Sequence, residues 1–135
     1  MRPWGAMGHV IPLRRVLLVN DSRDEREMYA EWFRRQGCCT LQAENAEDAY
    51  RLAVALTPEV VITDVKLLGK TDGLTLTKRL KQNANTRTLA VVVLSGYVFK
   101  TDDEAARRAG CDMVIHKPCL PDELAAAVST LLPGR

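Results

Sequence analysis

A chain of 135 residues has the size of one domain and is long enough to bury a substantial core. Apolar residues make up 47% and charged residues 27%, a globular composition that excludes an intrinsically disordered chain. With 19 basic and 17 acidic residues the net charge is +2, too small for the broad positive field that nucleic acid selects. Arg34-Arg35, Arg79 with Lys81, and Arg107-Arg108 read as solvated helix faces.

Met1 to Arg15 contains Trp4, Gly5, Gly8, His9 and Pro12 but no continuous apolar core, so it does not read as a secretory leader. No stretch approaches the ~18 consecutive apolar residues of a membrane span. The expected organisation is a flexible extension over residues 1–14, one domain over 15–132 and a tail over 133–135, in a reducing cytoplasm. Cys38, Cys39, Cys111 and Cys119 lack CxxC spacing and are expected to be small core hydrophobes rather than a redox or metal site.

Val16-Leu17-Leu18-Val19 is a continuous apolar run, a strand covered on both faces that ends in Asn20-Asp21. Ser22-x-x-Glu25 has the form of a capping box and opens a helix with Met28, Trp32 and Phe33 at helical spacing, stopped by Gly37. Cys38 to Ala43 is a less uniformly apolar strand, expected nearer the sheet edge. Asn45 caps a helix whose Ala46, Ala49, Leu52, Ala53 and Leu56 form one stripe, and Thr57-Pro58 breaks it. Val60-Val61-Ile62-Thr63-Asp64 follows, an apolar run closed by a single carboxylate. An unpaired charge inside such a strand is costly, so Asp64 belongs at its C-terminal edge, either as a cap for the next turn or as a reactive group.

Asp72 caps a third helix that faces inward through Leu74, Leu76, Thr77 and Leu80, and Asn83 to Arg87 is the polar turn out. Leu89 to Leu94 is the fourth strand and ends in Ser95-Gly96. Thr101-x-x-Glu104 is a second capping box, starting a helix that Gly110 stops. Asp112 to His116 is the fifth strand, ending in Lys117-Pro118. Pro121 opens the last helix, where its missing N–H is harmless, and Leu124, Ala127, Val128, Leu131 and Leu132 carry it to Pro133-Gly134. Five β-α units with short connections and right-handed crossovers dictate an α/β fold, a doubly wound five-stranded parallel sheet with helices on both faces.

In such a sheet the C-terminal strand ends share one edge, which gathers Asn20, Asp21, Asp64, Ser95 and Lys117 around one crevice. Neighbouring carboxylates repel, and a hard divalent cation relieves the repulsion. Mg²⁺ suits best, because it binds through one or two carboxylates and a phosphate while keeping several waters. The Lys117 ammonium and the Ser95 hydroxyl are then placed to hold phosphoryl oxygens, leaving Asp64 as the nucleophile that forms an acyl phosphate. GxxxxGKS/T and GxGxxG are both absent, and no Ser/His/Asp set is evident. His116, inside an apolar strand, reads as structural, and Tyr29, Trp32 and Phe33 read as packing.

From about Arg15 to Leu132 the chain resembles the receiver domain of two-component response regulators. Asn20-Asp21 matches the acidic pair after the first strand, Asp64 the phosphoacceptor, Asp72-Gly73-Leu74 the opening of the third helix, and Ser95-Gly96 the switch hydroxyl and its small neighbour. Ala109-Gly110-Cys111-Asp112 matches the turn before the fifth strand, and Lys117-Pro118 the lysine ahead of a cis peptide bond, a geometry proteins place almost only before proline. The resemblance implies a flavodoxin-like (βα)5 fold and a Mg²⁺ site. Its ligands are Asp21, Asp64 and the backbone carbonyl of Lys66, with Asn20 acting indirectly through water. It also implies Lys66, Gly96, Tyr97, Val114 and Pro118 as modulating positions. Asn20 stands where the family usually has its first acid, Leu68 where it has proline, and Val114 where it has a switch aromatic.

The expected function is that of a single-domain response regulator, not a conventional enzyme. It takes a phosphoryl group on Asp64 from a histidine kinase or histidine phosphotransfer protein and signals to a downstream protein through the face of the fourth helix, fifth strand and fifth helix. No nucleic-acid or membrane partner is expected. The alternatives are a degenerate receiver that binds protein without phosphorylation, and a phosphohydrolase of the haloacid dehalogenase type. The latter wants a second aspartate two residues on, where this chain has Lys66.

Overall fold

The computed structural model describes residues 14–96 and 100–132. Five strands, β1 (Arg15–Val19), β2 (Cys39–Ala43), β3 (Val60–Asp64), β4 (Ala90–Ser95) and β5 (Met113–His116), alternate with five helices. The helices are α1 (Arg23–Arg35), α2 (Ala46–Leu56), α3 (Gly73–Gln82), α4 (Lys100–Ala109) and α5 (Pro121–Ser129). All strand pairs are parallel, in the order β2-β1-β3-β4-β5. The doubly wound fold expected from the sequence is the fold observed, with β2 at an edge.

The period of two along each strand divides the interior into two cores. Val16, Leu18, Val60, Ile62, Val92 and Leu94 face Tyr29, Phe33, Leu124 and Val128 of α1 and α5. Leu17, Val19, Val61, Val91 and Val93 face Ala46, Ala49 and Ala53 of α2, Leu76 and Leu80 of α3, and Ala106 of α4. Each large aliphatic side chain buried this way contributes about 1.5–3 kcal/mol. β3, at the centre of the sheet, is buried along its whole length.

The helix starts follow local chemistry. Ser22, Asn45 and Asp72 each accept a hydrogen bond from the amide three residues on, from Glu25, Asp48 and Thr75 respectively. Gly37 and Gly110 take positive φ of 90° and 102° where α1 and α4 end.

Several expectations need correction. Met28 is 45% exposed; the buried residues of α1 are Tyr29, Ala30 and Phe33. The Tyr29 hydroxyl donates to the Cys119 carbonyl at 2.8 Å, which rotates Met28 outward. α4 begins at Lys100, one residue ahead of the Thr101 expected to cap it. α5 stops at Ser129 rather than Leu132. The Ser129 and Thr130 hydroxyls donate back to the carbonyls of Ala126 and Ala127, both at 2.7 Å, and the amides of Leu131 and Leu132 tighten to bonds three residues back. Leu131 and Leu132 still pack on the α1/α5 core. Of the cysteines only Cys38 is fully buried. Cys39 is exposed at the start of the edge strand, Cys111 and Cys119 are half-buried, and all four are free.

Candidate functional site

β1 and β3 lie side by side, and the chain leaves β1 toward β2 on one flank while β4 and β5 extend the other. At this reversal the carboxyl ends of the strands border an open crevice. Asp64, the last residue of β3, is 8% exposed there. Ser95, the last residue of β4, is buried, and its carbonyl accepts a 2.8 Å bond from the Lys117 amide. The exit of β5 is thereby tied to the end of β4. The Lys117–Pro118 peptide is cis, as the resemblance implies.

One chain of polar contacts crosses the crevice. Lys117 Nζ donates to Asp64 Oδ2 at 3.1 Å and lies 3.0 Å from Oδ1. It also donates to Glu25 Oε1 at 2.7 Å. The same Glu25 oxygen takes a short hydrogen bond from the side-chain amide of Asn20, which is only 4% exposed. The Asn20 Oδ1 accepts from the Ser22 amide at 2.7 Å, so the orientation of Asn20 is set at both ends. Asp64 Oδ1 is buried and takes no directed hydrogen bond; the Lys117 ammonium 3.0 Å away meets it as an ion pair.

Burial pushes the Asp64 carboxyl up to about 6; Lys117 opposes the rise, and the negative charges of Glu25 and Asp21 add to it. For Glu25 burial also pushes upward, but the hydrogen bonds from Lys117 and Asn20 outweigh it and hold the group below its ordinary value. Burial pulls the Lys117 ammonium down, and its two carboxylate partners, Glu25 first, more than compensate. The crevice at neutral pH therefore holds ionised Glu25, a charged lysine, and one carboxylate poorly compensated for its burial.

Asn20, Asp64, Ser95 and Lys117 thus converge from four strand ends. Asp21 is exposed at the rim, where its charge is felt by Asp64. Lys66 and Pro118 are exposed, and Val114 is half-buried against the core under α2, α3 and α4. Gly96 is exposed, and a Cβ built on it meets no described atom within 4 Å. Tyr97 lies outside the described residues.

Two residues of the site escaped the sequence reading. The Ser22-x-x-Glu25 spacing predicts a capping box, but only half of that box forms. Ser22 Oγ accepts from the Glu25 amide at 3.3 Å, while the Glu25 carboxylate turns to Asn20 and Lys117. The hint in the chain is an acid in the first turn of the helix after a strand end that carries Asn20 beside Asp21. Gly73 matches the opening of the third helix in sequence, and the structure supplies the reason. Its amide donates to Val65 O at 2.7 Å, and a Cβ there would lie 1.8 Å from the Asp64 carbonyl oxygen. The first residue of α3 is packed directly on the backbone of Asp64.

Among the described residues no group of three or more His, Cys, Asp or Glu side chains is arranged to hold a metal. A Mg²⁺ site of the expected kind draws on two carboxylates, a carbonyl and water, and the buried Asp64 Oδ1, without a directed hydrogen bond, is an oxygen of the type such a cation takes.

The sheet order, the helices on both faces and the acidic crevice at the carboxyl edge define the class as a flavodoxin-like α/β domain of the receiver type. The chain belongs to the response regulator receiver domain family, whose pattern it matches over residues 16–129. It is 28% identical over 103 residues to the polar-differentiation response regulator DivK of Brucella anthropi, covering 76% of this chain and 83% of that one. It is 31% identical over 117 residues to the phosphate regulon transcriptional regulatory protein PhoB of Pseudomonas aeruginosa, covering 87% of this chain and 51% of that one. The crystal structure of the receiver domain of NtrX from Brucella abortus superimposes with a TM-score of 0.79 at 30% identity, covering 87% of this chain and 97% of that one. Receiver domains are phosphoacceptor modules of two-component signalling rather than conventional enzymes; they generally bind Mg²⁺ and interact with histidine kinases and downstream targets. Among the described residues no helix is long and apolar enough to cross a membrane.

Proposed function

We propose that this domain accepts a phosphoryl group on Asp64 from a histidine kinase or histidine phosphotransfer protein, and that the acyl phosphate alters the surface of α4, β5 and α5. The observation that carries the reading is Asp64 itself, buried at a strand end with Lys117 Nζ 3.0 Å from Oδ1, the oxygen that takes no directed hydrogen bond. An Asp64 oxygen forms a bond to phosphorus as the bond from phosphorus to the donor imidazole nitrogen breaks, the imidazole leaving with the electron pair. Lys117 follows the new charge onto the phosphoryl oxygens, and the Ser95 hydroxyl turns toward them. Bound Mg²⁺ would neutralise charge between carboxylate and phosphoryl oxygens, held by Asp21, Asp64 and the Lys66 carbonyl, with Asn20 reached through water.

Phosphorylation adds roughly two negative charges at this edge. A movement of Ser95 reaches β5 through the Lys117 amide bond, and reaches α4 through the pair His116 Nε2–Asp103 Oδ2 at 2.9 Å. With Val114 in place of a switch aromatic, the backbone bond and the His116–Asp103 hydrogen bond are, among the described residues, the route proposed to carry the change. Intact mass after incubation with a small phosphodonor tests the reading. Wild type is expected to gain one base-labile phosphate with Mg²⁺ and none with a chelator. Asp21→Ala is expected to load at least about tenfold more slowly at limiting Mg²⁺, since one carboxylate cannot hold the cation alone. A wild type that stays unphosphorylated under saturating donor and Mg²⁺ would favour a protein-binding role without phosphorylation.

Lifetime gives a further prediction. Water must approach in line with the Asp64–phosphorus bond from the solvent side, past the positions that the resemblance gives to Lys66 and Tyr97. Neither side chain is a carboxylate or amide suited to orient an attacking water, and Lys66 is a cation able to pair with phosphoryl oxygens. The acyl phosphate is therefore expected to decay slowly, and a Lys66→Asn/Tyr97→Glu double variant to decay faster at saturating Mg²⁺. Equal decay rates would overturn the slow decay ascribed to these two side chains and leave the acceptor assignment standing.

A further inference from the structure

The family's acidic pair is incomplete here, because Asn20 carries no charge, yet the crevice still contains an acid in contact with its lysine. Glu25 in the first turn of α1 provides it. Lys117 Nζ sits closer to Glu25 Oε1, at 2.7 Å, than to either oxygen of Asp64, at 3.0 and 3.1 Å. Glu25 is only partly exposed, and the oxygen that meets Lys117 is clamped by the Asn20 amide, which is itself fixed by the Ser22 amide. An aspartate at position 20 would replace that amide donor by a carboxylate in contact with Glu25, so the amide and the glutamate belong together. The neutral residue at the strand end is what permits an acid on the helix.

We infer that Glu25 is a positioning residue for Lys117, a countercharge set in the first turn of α1 and bracketed by Asn20. The inference rests on the phosphoacceptor reading of Asp64. The consequence is mechanical. With two anions to serve, the lysine is held to one side of Asp64 and need only pivot to meet an incoming phosphoryl group. With Glu25 neutralised, the ammonium has Asp64 as its single anionic contact and settles on the nucleophile, from which it must be displaced before attack.

The test compares wild type, Glu25→Gln and the exchange variant Asn20→Asp/Glu25→Gln, which moves the acid back to the strand end. Two measurements are made on each: the rate of loading by a small phosphodonor at saturating Mg²⁺, and the Lys117 side-chain ammonium resonance by nitrogen-edited NMR in the metal-free protein. Glu25→Gln is expected to shift or broaden the ammonium resonance and to slow loading about tenfold, the size of one charge-assisted hydrogen bond. The exchange variant is expected to recover loading to within about threefold of wild type, a rescue that lost packing at position 25 cannot produce. Glu25→Gln loading at the wild-type rate, or an unmoved Lys117 resonance, overturns the assignment. So does a slow Glu25→Gln that the exchange fails to rescue. If wild type takes no phosphate at all, the acceptor reading fails, and the NMR comparison alone still decides whether Glu25 holds Lys117.

Discussion

Asp64→Asn is expected to abolish the gain of phosphate and, at the same time, to make the metal-free protein more stable by roughly 2 kcal/mol near pH 7. The two effects have one origin. Asp64 is 8% exposed and its carboxyl is pushed up to about 6, burial outweighing the attraction of Lys117. The folded state thus binds the Asp64 proton more tightly than the unfolded chain, whose aspartate titrates near 3.8. Between those values stability falls as pH rises, and above about pH 6 the full penalty is present. The stabilisation from Asp64→Asn should be complete near pH 7 and fade to nothing near pH 4. Lys117 is not stranded by the substitution, because Glu25 still holds it at 2.7 Å. Denaturant unfolding with a chelator at the two pH values checks this. A variant less stable than wild type near pH 7 would mean that the Lys117–Asp64 attraction exceeds the cost of burying the charge. Mg²⁺ should narrow the gap by binding the folded wild type.

Gly73→Ala is the second large effect. It is expected to cost about 3 kcal/mol or more, lowering the melting temperature by roughly 10 °C, although it adds a single methyl at a helix start where alanine is otherwise favoured. The methyl would lie 1.8 Å from the Asp64 carbonyl oxygen and 2.9 Å from Thr63 Oγ1. Both atoms belong to the central strand, and the Thr63 hydroxyl is itself bonded to that carbonyl at 2.9 Å. Relief requires α3 to move off β3, breaking the 2.7 Å bond from the Gly73 amide to Val65 O. The shift also moves Asp64, so loading should fall even where the variant remains folded. A thermal melt within about 1 °C of wild type would show that the loop before α3 absorbs the methyl by a small displacement.

What could be read from the chain alone is what short-range chemistry controls. The apolar runs of β1, β3 and β4 announced strands covered on both faces, since only such strands exclude polar residues from both sides. Ser22, Asn45 and Asp72 announced helix starts because a cap and its amide lie three residues apart. Asp64 stood out as one carboxylate closing an apolar strand, and the β-α alternation brought it to the same edge as Asn20, Ser95 and Lys117. The inward face of α1 and the end of α5 were read less well. Tyr29 is drawn in by a carbonyl 90 residues away, and hydroxyl bonds to the backbone compete with the apolar spacing that ran on to Leu132.

Tertiary structure alone decided which acid serves the lysine and why residue 73 has no side chain. Glu25 and Lys117 are 92 positions apart, and a glutamate three residues after a serine looks the same in sequence whether it caps its helix or leaves it. Gly73 lies against Asp64 because α3 packs on β3, and the free volume left there is set by how two elements meet. Local hydrogen-bonding rules act over a few residues and are written in their order; the partner of a buried charge and the room for one methyl group depend on surfaces that exist only after the sheet and helices have closed on each other.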